Sequence, residues 1–237
     1  MNYNVEYFLK ASSDLGICLD DLQVQSFLKF YEMLVEKNKV MNLTAITEFD
    51  EVIEKHFLDS ISLCRVFDVH SHQKVLDLGT GAGFPGIPLK IAFPELDITL
   101  VDSLNKRVGF LNEVISELSL KNIQAIHSRA EDLGRNPKHR EQYDLCVSRA
   151  VANLSSLSEY CLPFVKVNGQ FISYKGGDCE EEVNASKNAI SKLGGKISKV
   201  DHFIMGENSR SFVVIQKVLS TKKIYPRKAG TPTKDPL

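Results

Sequence analysis

The chain of 237 residues is 43% hydrophobic and 25% charged, with a formal net charge of −1. That composition suits a folded globular protein and excludes collagen-like, coiled-coil and disordered classes. The length corresponds to one full domain with an appendage. No apolar run approaches the roughly 18 residues of a membrane helix, and the N-terminus has neither the basic nor the apolar region of a signal peptide. Five scattered cysteines (Cys18, Cys64, Cys146, Cys161, Cys179), never in C-x-x-C spacing, argue against a disulfide framework or a zinc site and for a reducing cytoplasm.

In chain order, residues 1–70 read as a small helical domain. Leu22, Phe27, Leu28, Tyr31, Leu34 and Val35 recur at helical spacing behind Asp20-Asp21, and this helix is expected to stop near Asn38. A second helical stretch, FDEVIEKHFLDSISLCRVF, follows. From residue 71 to 219 short apolar runs alternate with amphipathic helices. Strands are predicted at Lys74–Leu78, Ile98–Asp102, Ile123–His127, Asp144–Ser148, Gln170–Tyr174, Ile197–Phe203 and Ser211–Val218. Helices are predicted at Pro85–Phe93, Asn105–Leu120, Leu154–Val167 and Glu180–Leu193. The alternation indicates an α/β fold with a doubly wound, mostly parallel sheet, and the last two strands suggest an antiparallel edge hairpin. Residues 220–237, with Pro226, Pro232 and Pro236, read as an extended basic tail. Residues 217–237 carry six cations (Lys217, Lys222, Lys223, Arg227, Lys228, Lys234) against Asp235 alone, which is +5 and leaves −6 for the rest; such an end can bind a polyanion locally.

The strongest local signal is VLDLGTGAGFPGIPL at residues 75–89. Gly81-x-Gly83-x-x-Gly86 matches the dinucleotide fingerprint literally, but Gly79 follows the strand directly, so the turn begins there and the third fingerprint position falls on Phe84. Asp77 ends this strand, Asp102 ends the next, and Glu131 follows the third. Carboxylates at one sheet edge oppose a pyrophosphate and favour a cationic ligand. S-adenosylmethionine, with a sulfonium and an ammonium, fits Asp77, Gly79, Gly81, Gly83, Asp102 and Glu131 better than NAD does. A glycine turn that only packs a helix is the bland alternative.

With these motifs in view, the sequence resembles the RsmG (GidB) family of bacterial 16S rRNA guanine-N7 methyltransferases along nearly its whole length. The resemblance rests on NLTAI at 42–46, KHFLDSI at 55–61, the glycine block, LVDSLNKRVGFL at 100–111, SRAED at 128–132, SRAVANL at 148–154, YKGG at 174–177 and YPRKAGTPTKDPL at 225–237. One departure is Lys37-Asn38 where many members have Trp-Asn. The resemblance implies a Rossmann-like class I methyltransferase fold and transfer of a methyl group from S-adenosylmethionine to N7 of one guanine in the 530 loop, conventional position 527. It implies cofactor contacts at Gly79, Phe84, Asp102, Ala130, Glu131 and Arg149. The implied partner is 16S rRNA, as a 30S subunit or an assembly intermediate, bound by a monomer in the cytoplasm with no membrane involved.

Guanine N7 carries a free in-plane lone pair, so no general base is expected, only proximity and electrostatics. The fourth strand ends in Ser148-Arg149-Ala150 rather than the Asn/Asp-Pro-Pro-aromatic turn of amine methyltransferases. No cysteine follows a proline, as a C5 methyltransferase nucleophile usually does, and Cys146 reads as core. Arg149 and Lys175 are candidate positioning residues. Lys106, Arg107, Arg149, Arg227 and Lys228 are candidate RNA contacts; the bland readings are a salt bridge from Arg149 to Asp144 or Glu131 and solvated surface for the others. His56 and Asp59, three apart on one helix face, read as a brace between domains. No histidine spacing indicates a metal. A small-molecule methyltransferase on the same fold and a non-catalytic RNA-binding protein remain open alternatives.

Overall fold

The computed structural model describes residues 3–149 and 152–237; Met1 and Asn2, and Ala150 and Val151 of the SRAVANL motif, lie outside the described residues. Two helices open the chain, α1 (Glu6–Asp14) and α2 (Asp21–Met41). The start of α2 is a capping box: Asp20 Oδ1 accepts from the Gln23 amide at 2.8 Å and Gln23 Oε1 accepts from the Asp20 amide at 2.9 Å. The helix runs past Asn38 and ends at Asn42, whose φ of 49° is left-handed, a conformation that asparagine tolerates. Its buried stripe is Phe27, Phe30, Tyr31 and Leu34; Leu22, expected in that stripe, is 73% exposed because the first turn lies beyond the core. A continuous helical run follows: α3 (Phe49–Val52), a π-helical turn (Ile53–Leu58), α4 (Asp59–Ile61) and a 3-10 turn (Ser62–Arg65).

The sheet then builds in the predicted alternation: β1 (Lys74–Leu78), α5 (Gly86–Ala92), β2 (Asp97–Asp102), α6 (Asn105–Glu117), β3 (Ile123–His127), α7 (Ala130–Leu133), β4 (Tyr143–Arg149), α8 (Leu154–Cys161), β5 (Val165–Gly176), α9 (Glu180–Lys192), β6 (Gly195–Met205), β7 (Asn208–Lys217) and α10 (Thr231–Lys234). The strand order is β3-β2-β1-β4-β5-β7-β6. The first five strands in that order pair in parallel, and β7 pairs antiparallel with both β5 and β6. Strands β1 and β4 are buried along most of their length because helices cover both faces. The helix expected to reach Val167 stops at Cys161; Pro163 lacks the amide to continue it, a 3-10 turn spans Leu162–Phe164, and Val165 enters β5.

Two expectations about organisation change. The N-terminal helices form no core of their own. Phe27, Phe30 and Phe57 belong to one buried cluster with Ile87, Leu100 and Phe110 of the sheet layer, and Phe30 meets the ring of Phe84 at 5.3 Å. Residues up to about 70 are thus a layer over one sheet face. The tail is not extended either. Tyr225 is buried in the cluster on the other face, with Leu157 and Phe164. The Arg140 guanidinium donates to the carbonyls of Gly134, Tyr225 and Thr221 at 2.9, 2.9 and 2.7 Å, and α10 closes the chain.

A shared core predicts a shared unfolding event. Phe30→Ala, which removes a ring that is 0% exposed, should lower stability by about 3–5 kcal/mol while urea unfolding followed by far-UV and near-UV signals stays a single transition. Separate loss of the N-terminal helices would restore the two-domain view.

Candidate active site

The glycine loop starts where the sequence places it. Gly79 leaves β1 with φ of 72° and donates its amide to Val101 O at 2.8 Å, a backbone turn that a side-chain-bearing residue resists. Gly86 opens α5 so close to the sheet that a Cβ there would lie 2.2 Å from Leu100 Cδ2 and 2.8 Å from Asp77 Oδ2. The space matters because Gly86 donates its amide to that same Asp77 oxygen at 2.8 Å, and Thr80 Oγ1 donates to it at 2.6 Å. Asp77 is therefore turned inward and fully buried. Burial pushes its carboxyl up to about 6, against the opposing effects of Thr80, Gly86 and the Arg149 charge. Its other oxygen, Oδ1, is buried without a partner.

Beside the loop, at the carboxyl ends of β1, β2 and β4, with the strand order reversing between β1 and β4, lies a cleft of about 570 Å³. Open α/β sheets bind ligands at such switch points. The lining includes Gly79, Asp102, Ala130, Glu131 and Arg149 of the expected cofactor residues, and Arg107 of the expected RNA residues. Gly81, Gly83, Phe84 and Asp77 stand behind it. The Phe84 ring is buried against His56, 4.4 Å between centroids, and against Phe30, so any ligand contact is left to its main chain. Asp102 Oδ1 accepts from the Leu104 amide, and Oδ2 from the Gly81 amide, each at 2.9 Å, with Arg107 Nη1 at 3.4 Å. Three of a carboxylate's roughly four acceptor positions are thus engaged. Glu131 Oε1 accepts from the Gly230 amide at 2.9 Å. The sequence reading missed Ser103, Ser128, Arg129 and Tyr160 in this lining. Arg129 lay in view inside SRAED; it is exposed, and its guanidinium has no partner among the described residues. Tyr160 arrives from the last turn of α8, where no local pattern marks it.

Arg149, at the end of β4, pairs with neither Asp144 nor Glu131. Its Nη1 donates to Asp59 Oδ2 at 2.8 Å and to Lys55 O at 3.1 Å; Nη2 donates to His56 Nδ1 at 3.2 Å; the guanidinium lies 5.2 Å over the Phe84 ring. Arg210 donates to the other Asp59 oxygen at 2.9 Å. The π-helical turn brings Lys55 O, His56 and Asp59 to one spot, a recurrent use of such turns. His56 Nδ1 also lies 3.1 Å from the Lys55 carbonyl, and Nε2 lies 2.9 Å from Thr44 Oγ1, so the ring is held at both nitrogens. The expected brace of His56 and Asp59 is there, and Arg149 is what it grips. Lys175 is only 14% exposed at its side chain and paired with Glu182 at 2.7 Å, so it is not a free cation at the rim. Lys106 is exposed on the first turn of α6. Arg227 is held by Glu159, with Nη2 to Oε2 at 2.8 Å and the glutamate fully buried, so it is not available to RNA; Lys228 is exposed. Lys217 is buried too, donating to Leu162 O at 2.6 Å, and burial lowers it to about 8.

Residues 23–213 match the family model GidB, rRNA small subunit methyltransferase G. The chain belongs to this family. It is 50% identical over 232 residues to the ribosomal RNA small subunit methyltransferase G of Lachnoclostridium phytofermentans, covering 97% of this chain and 96% of that protein. It is 51% identical over 230 residues to the protein of the same name from Desulforamulus reducens, with 96% of each covered. Among solved structures, M. jannaschii TYW2 in complex with AdoMet aligns with a TM-score of 0.57 and 15% identity over 73% of this chain and 80% of that one. That likeness is one of fold, the Rossmann-like class I methyltransferase architecture.

The brace carries a pH signature. Burial and the Arg149 charge lower His56 from 6.5 to about 3. Between these values the unfolded chain holds the extra proton, so this contribution to stability, full above pH 6.5, is lost as the pH falls. Asp77 runs oppositely: its folded value of about 6 exceeds 3.8, so the native state holds the proton and stability falls as pH rises from 3.8 to 6. The two slopes oppose each other between about pH 4 and 6. In His56→Gln the Asp77 slope should stand alone, so the difference in unfolding free energy between variant and wild type should grow by about 1.4 kcal/mol per unit of acidification in that window. Urea titrations at several pH values measure this; parallel pH profiles for the two proteins would mean that His56 titrates normally in the fold.

Proposed function

We propose that the chain transfers a methyl group from S-adenosylmethionine to N7 of a guanine in the 530 loop of 16S rRNA, at conventional position 527. The observation that carries this reading is the cleft at the switch point, built from the motifs that define the family to which the chain belongs. The cofactor fits the residues present. Asp102 retains about one acceptor position for a ribose hydroxyl, Leu78, Val101, Ala130 and Tyr160 offer apolar wall to an adenine, and Glu131 stands beside them. The unpartnered buried oxygen of Asp77 adds negative potential beneath the loop. When bound, S-adenosylmethionine supplies an electrophilic methyl group on a sulfonium.

The residues around the cleft are arranged to bind and orient. Guanine N7 needs no proton removed, and the two carboxylates of the lining are engaged by main-chain amides. Arg149 uses three of its five N–H donors within the brace, which leaves Nε and one Nη2 hydrogen for a base edge or phosphate. Arg129 in the lining, exposed Lys106 next to Arg107, and exposed Lys228 two residues before Gly230 supply the attraction to RNA. The substrate is 16S rRNA in a 30S subunit or an assembly intermediate, met by a monomer in the cytoplasm.

Mass mapping of 16S rRNA from a strain lacking the protein tests the target. The 530-loop fragment should lose one methyl group, and the cleavage at N7-methylguanine by borohydride and aniline should disappear; an unchanged fragment overturns the reading. Asp102→Ala should weaken binding of S-adenosylhomocysteine by about 1.5–3 kcal/mol, the worth of hydrogen bonds to a charged acceptor. Single-turnover methylation should vary little between about pH 6.5 and 9, since no base needs to be deprotonated. A steep rise abolished by one substitution would point to a different target atom.

A further inference from the structure

The C-terminal segment touches the cleft at two places. The Gly230 amide donates to Glu131 Oε1 at 2.9 Å, and Thr233 Oγ1 lies 2.8 Å from Tyr160 Oη; Glu131 and Tyr160 both line the cleft. We propose that residues 221–237 are a working part of the cofactor pocket, a strap that fixes Glu131 and Tyr160 in place for the ligand. The inference rests on reading the cleft as the S-adenosylmethionine site.

The attachments of the segment fit such a role. Arg227 and the carbonyls of Pro226 and Pro232 are spent on the fold on either side of the cleft, while its lysines stay exposed. Arg227 grips buried Glu159 through its amide, Nε and Nη2. Arg135 Nη2 donates to Pro226 O at 2.6 Å and Ser156 Oγ to Pro232 O at 2.7 Å. These bonds anchor the strap to α8, which carries Tyr160, and to the stretch directly after α7, the helix that carries Glu131. A glutamate side chain has many rotamers, and one oxygen already bound to a rigid amide leaves fewer to freeze when a ligand arrives. Gly230 presents that amide from a left-handed turn, φ 80°, where a β-branched residue is strained while asparagine is tolerated. An added Cβ there meets nothing within 4 Å, so backbone conformation alone distinguishes the two substitutions.

The test is calorimetric binding of S-adenosylhomocysteine, with RNA affinity measured in parallel. Gly230→Val and Thr233→Val should each weaken cofactor-product binding by about five- to tenfold, the worth of one hydrogen bond at the upper neutral range. Gly230→Asn and Thr233→Ser should bind within about twofold of wild type, and all four should bind RNA as wild type does, within the precision of one lost surface contact. Thr233 is exposed, so its variants keep the test alive should Gly230→Val not fold. Equal cofactor affinity across the series overturns the strap, as does a loss confined to RNA affinity. A wild-type protein that binds no S-adenosylhomocysteine overturns instead the reading of the cleft on which the strap depends.

Discussion

The guanidinium of Arg149 sits at the end of a central strand with 17% of its side chain exposed, and a charge so placed has to be compensated or it destabilises the fold by several kcal/mol. The compensation comes from far away in the chain. Asp59, ninety residues earlier, supplies a carboxylate oxygen; Lys55 supplies a carbonyl and His56 a ring nitrogen. All three come from the π-helical turn or the residue that follows it, which fixes where the N-terminal layer can sit over the sheet. Arg210 on β7 uses the second oxygen of Asp59, so the antiparallel hairpin is tied to the same point. The Phe84 ring fills the space between His56 and Arg149 and thereby holds the far end of the glycine loop. Placement of the loop, the helical layer and the hairpin thus follows from satisfying one buried carboxylate–guanidinium group.

This dependence explains which features were legible in the sequence. The strands, the glycine turn starting at Gly79, and the carboxylates Asp102 and Glu131 are set by neighbours within a few residues and by the period of the apolar pattern. Those were readable, and five of the nine expected cofactor residues line the cleft. Asp77 was read as facing the ligand because a strand-end carboxylate can face either way. Its direction is decided by the amide of Gly86, nine residues on, in a space that only glycine leaves free. The phenyl ring of Phe84 likewise turns toward Phe30 and His56, partners outside any local window.

The tail was the largest misjudgement, and its signal was present elsewhere. Prolines and lysines described it as an extended basic end that meets a polyanion. What folds it is Glu159, a charged residue inside the apolar run LSSLSEYCLPF. A glutamate on a buried helix stripe requires a cation, and nothing within that helix supplies one. Arg227, sixty-eight residues later, does. Lys217 follows the same logic: a lysine ending the last strand looks solvated, yet it satisfies Leu162 O and Thr221 Oγ1 inside the fold.

Net charge therefore says little here about where an anion can bind. Arg149, Lys175, Arg210, Lys217 and Arg227 all lie within or beside the structural framework, and each is held by a carboxylate. Among the described residues, the exposed Lys106, Arg129 and Lys228, on three different segments, have no carboxylate partner. The cleft is lined by Arg107, Arg129 and Arg149 as well as by Asp102 and Glu131, but the two carboxylates are buried whereas Arg129 is exposed and Arg107 half-buried. The two signs are separated by depth. A small cationic ligand is favoured inside and a polyanion is favoured at the rim, so the proposed cofactor and the proposed RNA are each repelled from the other's place. In water the rim charges act over about one Debye length, roughly 8–10 Å, whereas the carboxylates of the cleft are buried and held by the amides of Gly81, Leu104 and Gly230. Burial thus lets opposite fields coexist in one small site, and the C-terminal segment contributes to both, through the Gly230 amide on Glu131 and through exposed Lys228.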